Sequence, residues 1–456
     1  MIRRWLSLAF VLAVSASPMR AQESGIDVPY TSFYLPNGLN VILHEDHTTP
    51  TVSVNMWYNV GSGREVPGRS GFAHLFEHIM FEGSGHVPEG MFDEWLEAAG
   101  GNNNGSTTSD RTNYWIDIPT NALDLALFLE SDRMGYLLDV VTPESVDGQR
   151  DVVKNERRQS YENRPYGMAF IELYRNLFSA DHPYSWPTIG SMEDLSAASF
   201  EDVVNFFRAY YGPNNASLSI AGDIDVEDVR QRVEHWFSDV ESGPPVPPLD
   251  GPAAFLNEDR RITLEDRVQL PRLYMCWLSP AVFTPGDAEL DVAASILATG
   301  KNSRLYRRLV YDLEIAQDVS AFQASRRLDS FFCVIATARS GHSLTEIETV
   351  LQEELNTLQS ETPSDREVEG AVNRYESSFL NSLERIGGFG GKADRLNRYY
   401  TFTGNPDFFS EDLARYRSLS PNDISSVARR IFRGGRVILS VVPNERTDLA
   451  ATGPTS

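Results

Sequence analysis

The chain reads as an α+β protein of two related domains, each a mixed, mainly antiparallel sheet covered by helices. Three observations predict this. Its 456 residues exceed what one hydrophobic core usually organises, so two cores are the default expectation. Near the middle, Glu241-Ser-Gly-Pro-Pro-Val-Pro-Pro-Leu-Asp-Gly-Pro252 carries too much proline and glycine for a regular element to continue. The residues after that stretch repeat the organisation of those before it: a strand, a loop and a helix ending in glycine. With 41% apolar and 11% aromatic residues, the chain can fill both cores. The expected division is a leader over 1–21, a first domain over 22–240, a linker over 241–257 and a second domain over 258–456.

At the N-terminus, Arg3 and Arg4 precede an apolar stretch from Trp5 to Val14, and small residues then lead to Met19-Arg-Ala21, the pattern of a secretory signal peptide. Met19 stands where a small residue is usual, but the apolar run is too short to remain as a spanning anchor. The mature chain is therefore expected outside the cytoplasm, in the periplasm of a bacterium with two membranes. Residues 51–57 form a strand and Gly71 to Phe81 a helix, whose Leu75, Ile79 and Met80 pack on a core and which Gly83-Ser-Gly85 closes. Residues 112–117 alternate like a strand. The Asn and Gly cluster before them is either exposed edge backbone able to pair with an extended peptide or simply a turn. Helices are expected over 120–138, 147–162 with Val152 and Val153 inward, and 201–211, before a strand at 216–222. In the second half, Arg272-Leu-Tyr-Met-Cys-Trp277 leads to the helix Asp291 to Gly300, as residues 51–57 lead to the helix ending at Gly83. Helices are then expected over 343–358 and 365–384, and 436–442 is the counterpart of 216–222.

The first-half helix carries His74, Glu77 and His78, which fall on one face. Two imidazoles four residues apart supply two nitrogen ligands for zinc, and a carboxylate three after the first is placed to accept a proton from an attacking water. The order is H-x-x-E-H, the inverse of the commoner H-E-x-x-H. The competing reading is two surface or hydrogen-bonded core histidines. A zinc with an open catalytic position needs a third protein ligand, and Glu156, about a turn beyond Val152 and Val153, is the candidate. In the register of the repeat, Asp291, Ala294 and Ser295 replace the three motif residues, so the second half has no such chemistry.

Together, A-H-L-F-E-H and, 78 residues after its second histidine, the glutamate of V-V-K-N-E-R-R resemble the pitrilysin-type (M16) zinc peptidases, the inverzincins. Val60-Gly-Ser-Gly-Arg-Glu65, Gly100-Gly-Asn-Asn-Asn-Gly-Ser-Thr-Thr108 and Tyr210-Tyr-Gly-Pro-Asn-Asn-Ala216 join the resemblance, which spans nearly the whole mature chain. It implies a zinc metallopeptidase with one zinc per chain, His74, His78 and Glu156 as ligands and Glu77 as general base. It also implies that the edge strand holds substrate, with Asn104 near the scissile carbonyl, and that the chain forms half of a closed chamber.

Two departures from that pattern bear on mechanism. Gln149 stands seven residues before Glu156, where many relatives carry a second glutamate. In the second domain, relatives that act alone place an Arg and, seven residues on, a Tyr against the substrate; here those positions are Val310 and Gln317. The missing pair implies a heterodimer with a sequence-related subunit that lacks zinc ligands and carries the Arg/Tyr pair. A homodimer is the runner-up, and a non-catalytic assembly subunit of the same family is the competing class.

The remaining signals exclude more than they add. A formal charge of −24, or −27 once Arg3, Arg4 and Arg20 leave with the signal, disfavours nucleic acid as a partner. Cys276 and Cys333 lie in runs that read as buried strands, and are expected to be unpaired core thiols although an oxidising compartment permits a bond. Gly387-Gly-Phe-Gly-Gly-Lys392 and Gly300-Lys-Asn lack the spacing of a phosphate loop and read as turns. His44 and His47, ahead of Pro50, read as exposed loop residues, and Asn215-Ala-Ser217 as an acceptor sequence without consequence.

Overall fold

The computed structural model describes residues 26–453, and the leader over 1–21 lies outside them. The first sheet contains β1 (Thr31–Tyr34), β2 (Asn40–Glu45), β3 (Thr51–Tyr58), β4 (Asn102–Thr107), β5 (Thr112–Pro119) and β6 (Ala216–Gly222), in the order β1-β2-β6-β3-β5-β4. The second contains β7 (Arg260–Asp266), β8 (Arg272–Ser279), β9 (Ala316–Ala324), β10 (Ser330–Ala338) and β11 (Arg436–Pro443), in the order β7-β11-β8-β10-β9. Without β1, the two orders are the same path. In each, a single parallel pair, β2 with β6 and β7 with β11, interrupts an otherwise antiparallel sheet. The expected counterparts, 216–222 and 436–442, are the matching strands β6 and β11.

The first half adds the helices α1 (Phe72–Ile79), α2 (Met91–Ala98), α3 (Leu123–Tyr136), α4 (Pro143–Arg157), α5 (Ala169–Leu177), α6 (Met192–Ala197), α7 (Phe200–Tyr210) and α8 (Val226–Phe237). The second adds α9 (Asp287–Ala298), α10 (Leu344–Ser360), α11 (Asp365–Leu383), α12 (Lys392–Thr403), α13 (Phe409–Arg417) and α14 (Pro421–Ile431). Residues 241–256 between the halves carry neither helix nor strand. Among the described residues, no helix is long and apolar enough to cross a membrane.

Two helices pack across the midpoint of the sequence. From the first half, α5 buries Ala169, Leu173 and Leu177 against Tyr274, Phe331, Val437 and Leu439 of the second sheet. From the second half, α12 lies on β3 and β6 of the first sheet, where Asn397 donates to Asn55 and accepts from Ser217. Both faces of β6 are thereby covered, which is why Ala-Ser-Leu-Ser-Ile-Ala-Gly is buried throughout instead of alternating.

Three expectations are corrected. The antiparallel register of β8 and β10 sets Cys276 directly opposite Cys333, with Cα atoms 4.2 Å apart, and the two form a disulfide. On α4 Val153 is buried but Val152 is 45% exposed, because adjacent helical residues point about 100° apart and the turn of α4 carries Val152 away from the core. His44 belongs to β2 and is buried, its Nδ1 2.7 Å from the Pro29 carbonyl oxygen, whereas His47 is the exposed residue expected and contacts Asp223. Asn102 to Gly105, open between edge and turn, lies in the edge strand β4.

Candidate metal centre

The start of α1 is fixed by a glycine and a buried carboxylate. Gly71 takes a left-handed conformation at φ 96°, and a Cβ there would sit 2.9 Å from Leu195 and 3.0 Å from the Gly190 backbone. Having no side chain, Gly71 cannot cap the helix. Glu65 does so instead, accepting from the N–H groups of Gly71 and Ala73 at 2.9 Å each. Burial pushes the Glu65 carboxyl up to about 8 against the opposing pull of these donors. Arg157, at the end of α4, donates to the Gly190 carbonyl, so the loop that packs on Gly71 also ties α4 to α1. A π-helical turn, Arg158–Glu162, comes directly after α4.

This frame brings three of the expected residues together. Nε2 of His74 and Nε2 of His78 lie 3.6 and 3.3 Å from Glu156 Oε2, and among the described residues these three side chains form the one cluster suited to a metal ion. The spacings exceed the usual hydrogen-bond range of roughly 2.7–3.2 Å. Donors arranged tetrahedrally at roughly 2.0–2.2 Å from a common centre lie about 3.3–3.6 Å apart, so both spacings to Glu156 match those between zinc ligands. Burial holds His74 below the ordinary imidazole range, which favours its neutral, ligating form. Contact with His78 lowers the Glu156 carboxyl. Glu156 is 40% exposed and His78 27%, leaving the centre open on one side.

Glu77 projects from the same helix toward β4, where Thr107 Oγ1 donates to its Oε2 at 2.5 Å. Gly105 lies beneath it: a Cβ at that position would be 3.2 Å from Glu77 Cγ. Asn104 is exposed on β4 outside the three-ligand cluster, its Oδ1 accepting from the Gly105 N–H at 2.8 Å. Gln149 donates to Glu82 at 2.5 Å, and the buried Nδ1 of His74 has no partner among the described residues. Val310 packs against the second core and Gln317 is exposed on β9.

Three residues that shape the centre carry no signal of that role in the sequence: Glu65, Gly105 and Thr107. All three lie in stretches already singled out, Glu65 at the end of Val60–Glu65 and the other two in the Asn- and Gly-rich stretch, but only the edge-strand register sets Gly105 and Thr107 against Glu77. Glu65 precedes Gly71 by six residues and gives no local capping pattern.

Comparison with known proteins gives the family. Residues 40–185 match the family model described as Insulinase (Peptidase family M16), and residues 197–375 match that described as Peptidase M16 inactive domain. The chain belongs to peptidase family M16. Within it, the zinc protease PqqE of Helicobacter pylori is 26% identical over 95% of this chain and 96% of its own length. An Arabidopsis thaliana protein named Probable mitochondrial-processing peptidase subunit beta is 23% identical over 95% of this chain and 82% of its own. The crystal structure of a Helicobacter pylori protease superposes with a TM-score of 0.84 at 25% identity, covering 91% of this chain and all of that one. These relatives support a zinc metallopeptidase at the level of the family, and the M16 neighbours share the two-domain α+β architecture.

Proposed function

We propose that this chain is an exported zinc metalloendopeptidase that hydrolyses unfolded peptides as the zinc-bearing subunit of a heterodimer. The observation that carries the reading is the convergence of His74 and His78 on Glu156 at the spacing of zinc ligands, with Glu77 held by Thr107 beside them. When bound, zinc supplies a Lewis acid that polarises a carbonyl and lowers the pKa of water toward roughly 7. Glu77 accepts the proton of the attacking water and returns it to the departing amine. The free edge of β4 offers backbone groups to an extended peptide, and Asn104 stands on that edge. A chamber closed by a second subunit would exclude folded proteins by size.

Export to the periplasm is supported by the leader pattern and by the disulfide, since such bonds persist in oxidising compartments. The heterodimer is supported by Val310 and Gln317, neither of which carries the cation or the phenol of the pair found in relatives that act alone. The alternative, a non-catalytic assembly subunit, draws on the words "inactive domain", but that match falls on residues 197–375, beyond all four motif residues.

Zinc analysis and peptide cleavage test the reading. The mature chain should bind about one zinc, and His74→Ala or His78→Ala should remove it. Glu77→Gln should keep the metal and lose hydrolysis by roughly 10²–10⁴-fold. An exported partner carrying an Arg-x6-Tyr pair should raise the activity of the isolated chain on the order of a hundredfold. Undiminished zinc in both histidine variants would place the centre elsewhere, and full activity of a strictly monomeric preparation would remove the heterodimer.

A further inference from the structure

A cavity of about 440 Å³ lies where the two halves meet, and Thr107, the residue that holds Glu77, lines it. Thr107 is also the last residue of β4, so the cavity adjoins one end of the edge along which a peptide would pair.

Three guanidinium groups line the cavity, those of Arg111, Arg326 and Arg398. Aromatic faces position all three. Arg111 lies over Trp57 at 5.1 Å, Arg398 over Phe283 at 5.6 Å, and Arg326 among Tyr174, Phe178, Tyr184 and Phe331 at 4.7–6.0 Å. Ring faces hold a cation without neutralising it or occupying its N–H donors. Among the described residues, none of the three forms an ion pair with a carboxylate, and the buried Nη1 of Arg326 has no acceptor. Arg111 uses one nitrogen on Ser106.

The two carboxylates in the lining are engaged with other groups. Asp110 accepts from the Tyr184 hydroxyl and the Arg327 N–H, and Asp394 from Trp57, Asn113 and the Gly390 N–H. Asp394 and Asp110 also act on Arg111 through space, but the lining still holds three guanidinium groups against two carboxylates, none joined in an ion pair, in a chain whose formal charge is −24.

From this arrangement we infer that the cavity is a carboxylate subsite: Arg111, Arg326 and Arg398 receive an acidic group of a peptide bound along β4, either its C-terminal carboxylate or an Asp or Glu side chain. The inference rests on the peptidase reading for the identity of its ligand, and it adds a preference for where acid lies in the substrate.

The test is equilibrium binding to the full mature Glu77→Gln chain, which does not depend on turnover. The probes are a ten-residue peptide without acidic side chains and with a free C-terminus, its C-terminal amide, and amides bearing a single Glu at successive positions. A terminal carboxylate as ligand predicts that amidation weakens binding on the order of tenfold or more, and a side-chain carboxylate predicts that one Glu position restores or exceeds it. Either preference should vanish in Arg398→Glu, an exposed position, and shrink in Arg326→Gln, with the thermal unfolding midpoint and zinc content as folding controls. Equal binding of all probes, or a carboxylate preference that persists unchanged in Arg398→Glu, would overturn the inference. Loss of zinc binding or of wild-type cleavage in separate assays would instead count against the peptidase reading.

Discussion

Gly105→Ala perturbs the base without touching a ligand. The added Cβ would lie 3.2 Å from Glu77 Cγ, Phe81 Cε2 and Tyr114 Cδ1, against an ordinary carbon contact of roughly 3.5–4.0 Å. Tyr114 is fully buried and its ring packs edge-on against Phe81 at 5.6 Å, so the two aromatic groups resist displacement. Glu77, half-buried, is the group that yields, by roughly half an ångström. A misplacement of about 1 Å can cost on the order of a hundredfold in rate, so a shift of half that size should cost about tenfold in kcat. The backbone at Gly105 is not left-handed, so alanine is admissible there. Its entropic gain of about 0.4–1 kcal/mol offsets part of an overpacking cost of about 1–3 kcal/mol. Steady-state kinetics, metal analysis and thermal unfolding on one preparation decide the matter. The expected result is reduced kcat, unchanged KM, full zinc and a small change in Tm. Unchanged kcat, or loss of zinc in proportion to activity, would refute the placement of Glu77 over Gly105.

Two further outcomes are expected. Replacing Cys276 and Cys333 together by alanine should lower the free energy of unfolding by about 4 kcal/mol, the chain-entropy value for a loop closed across 57 residues, read from urea titration. Glu65, whose carboxyl is raised from 4.5 to about 8, keeps its proton in the folded state over a window in which the unfolded chain has lost it. Stability contributed at low pH is therefore lost as pH rises from about 4.5 to 8, by at most about 1.4 kcal/mol per pH unit. The stability difference between wild type and Glu65→Gln should shrink across that range, and a difference that stays constant or widens would contradict the raised value.

What is legible in the sequence is local. His74, Glu77 and His78 can be read because helix geometry alone places residues three and four apart side by side. Glu156 is readable as a carboxylate on a second helix, and its convergence with the histidines is seen at 3.3 and 3.6 Å. The corrected expectations share a cause. Pairing of Cys276 with Cys333 depends on the register of β8 against β10, whose partnership no short window contains. His44 reads as loop only because the sequence does not show that β2 extends through Glu45, one residue beyond it. Val152 and Val153 read as an inward pair because adjacent apolar residues suggest a face, while the helix admits only one of the two. Likewise, the apolar stripe of α5 declares that it packs on something, but not that the sheet lies in the other half of the chain.

That exchange of helices gives the half without ligands a direct part in shaping the site. Asp394 of α12 accepts from Trp57 on β3 and from Asn113 on β5, and Asn397 is bonded to β3 and β6, the strands at the centre of the first sheet. At the turn before α12, Gly387 packs against Asp117 so closely that a Cβ would overlap its carboxylate. β5, which Asp394 and Gly387 both touch, is the only strand partner of β4 among the described residues and so sets the position of Thr107 and Gly105 against Glu77. The alignment of the base thus depends on a helix that lies more than a hundred residues beyond the linker. Residues 22–240 expressed alone would leave the β3 and β6 face that carries Asn55 and Ser217 uncovered, and the bonds from these residues to Asn397 that help hold β3 and β6 in place would be exchanged for bonds to water. The absence of metal ligands from α9 therefore says nothing against a structural role for the second half in the chemistry of the first.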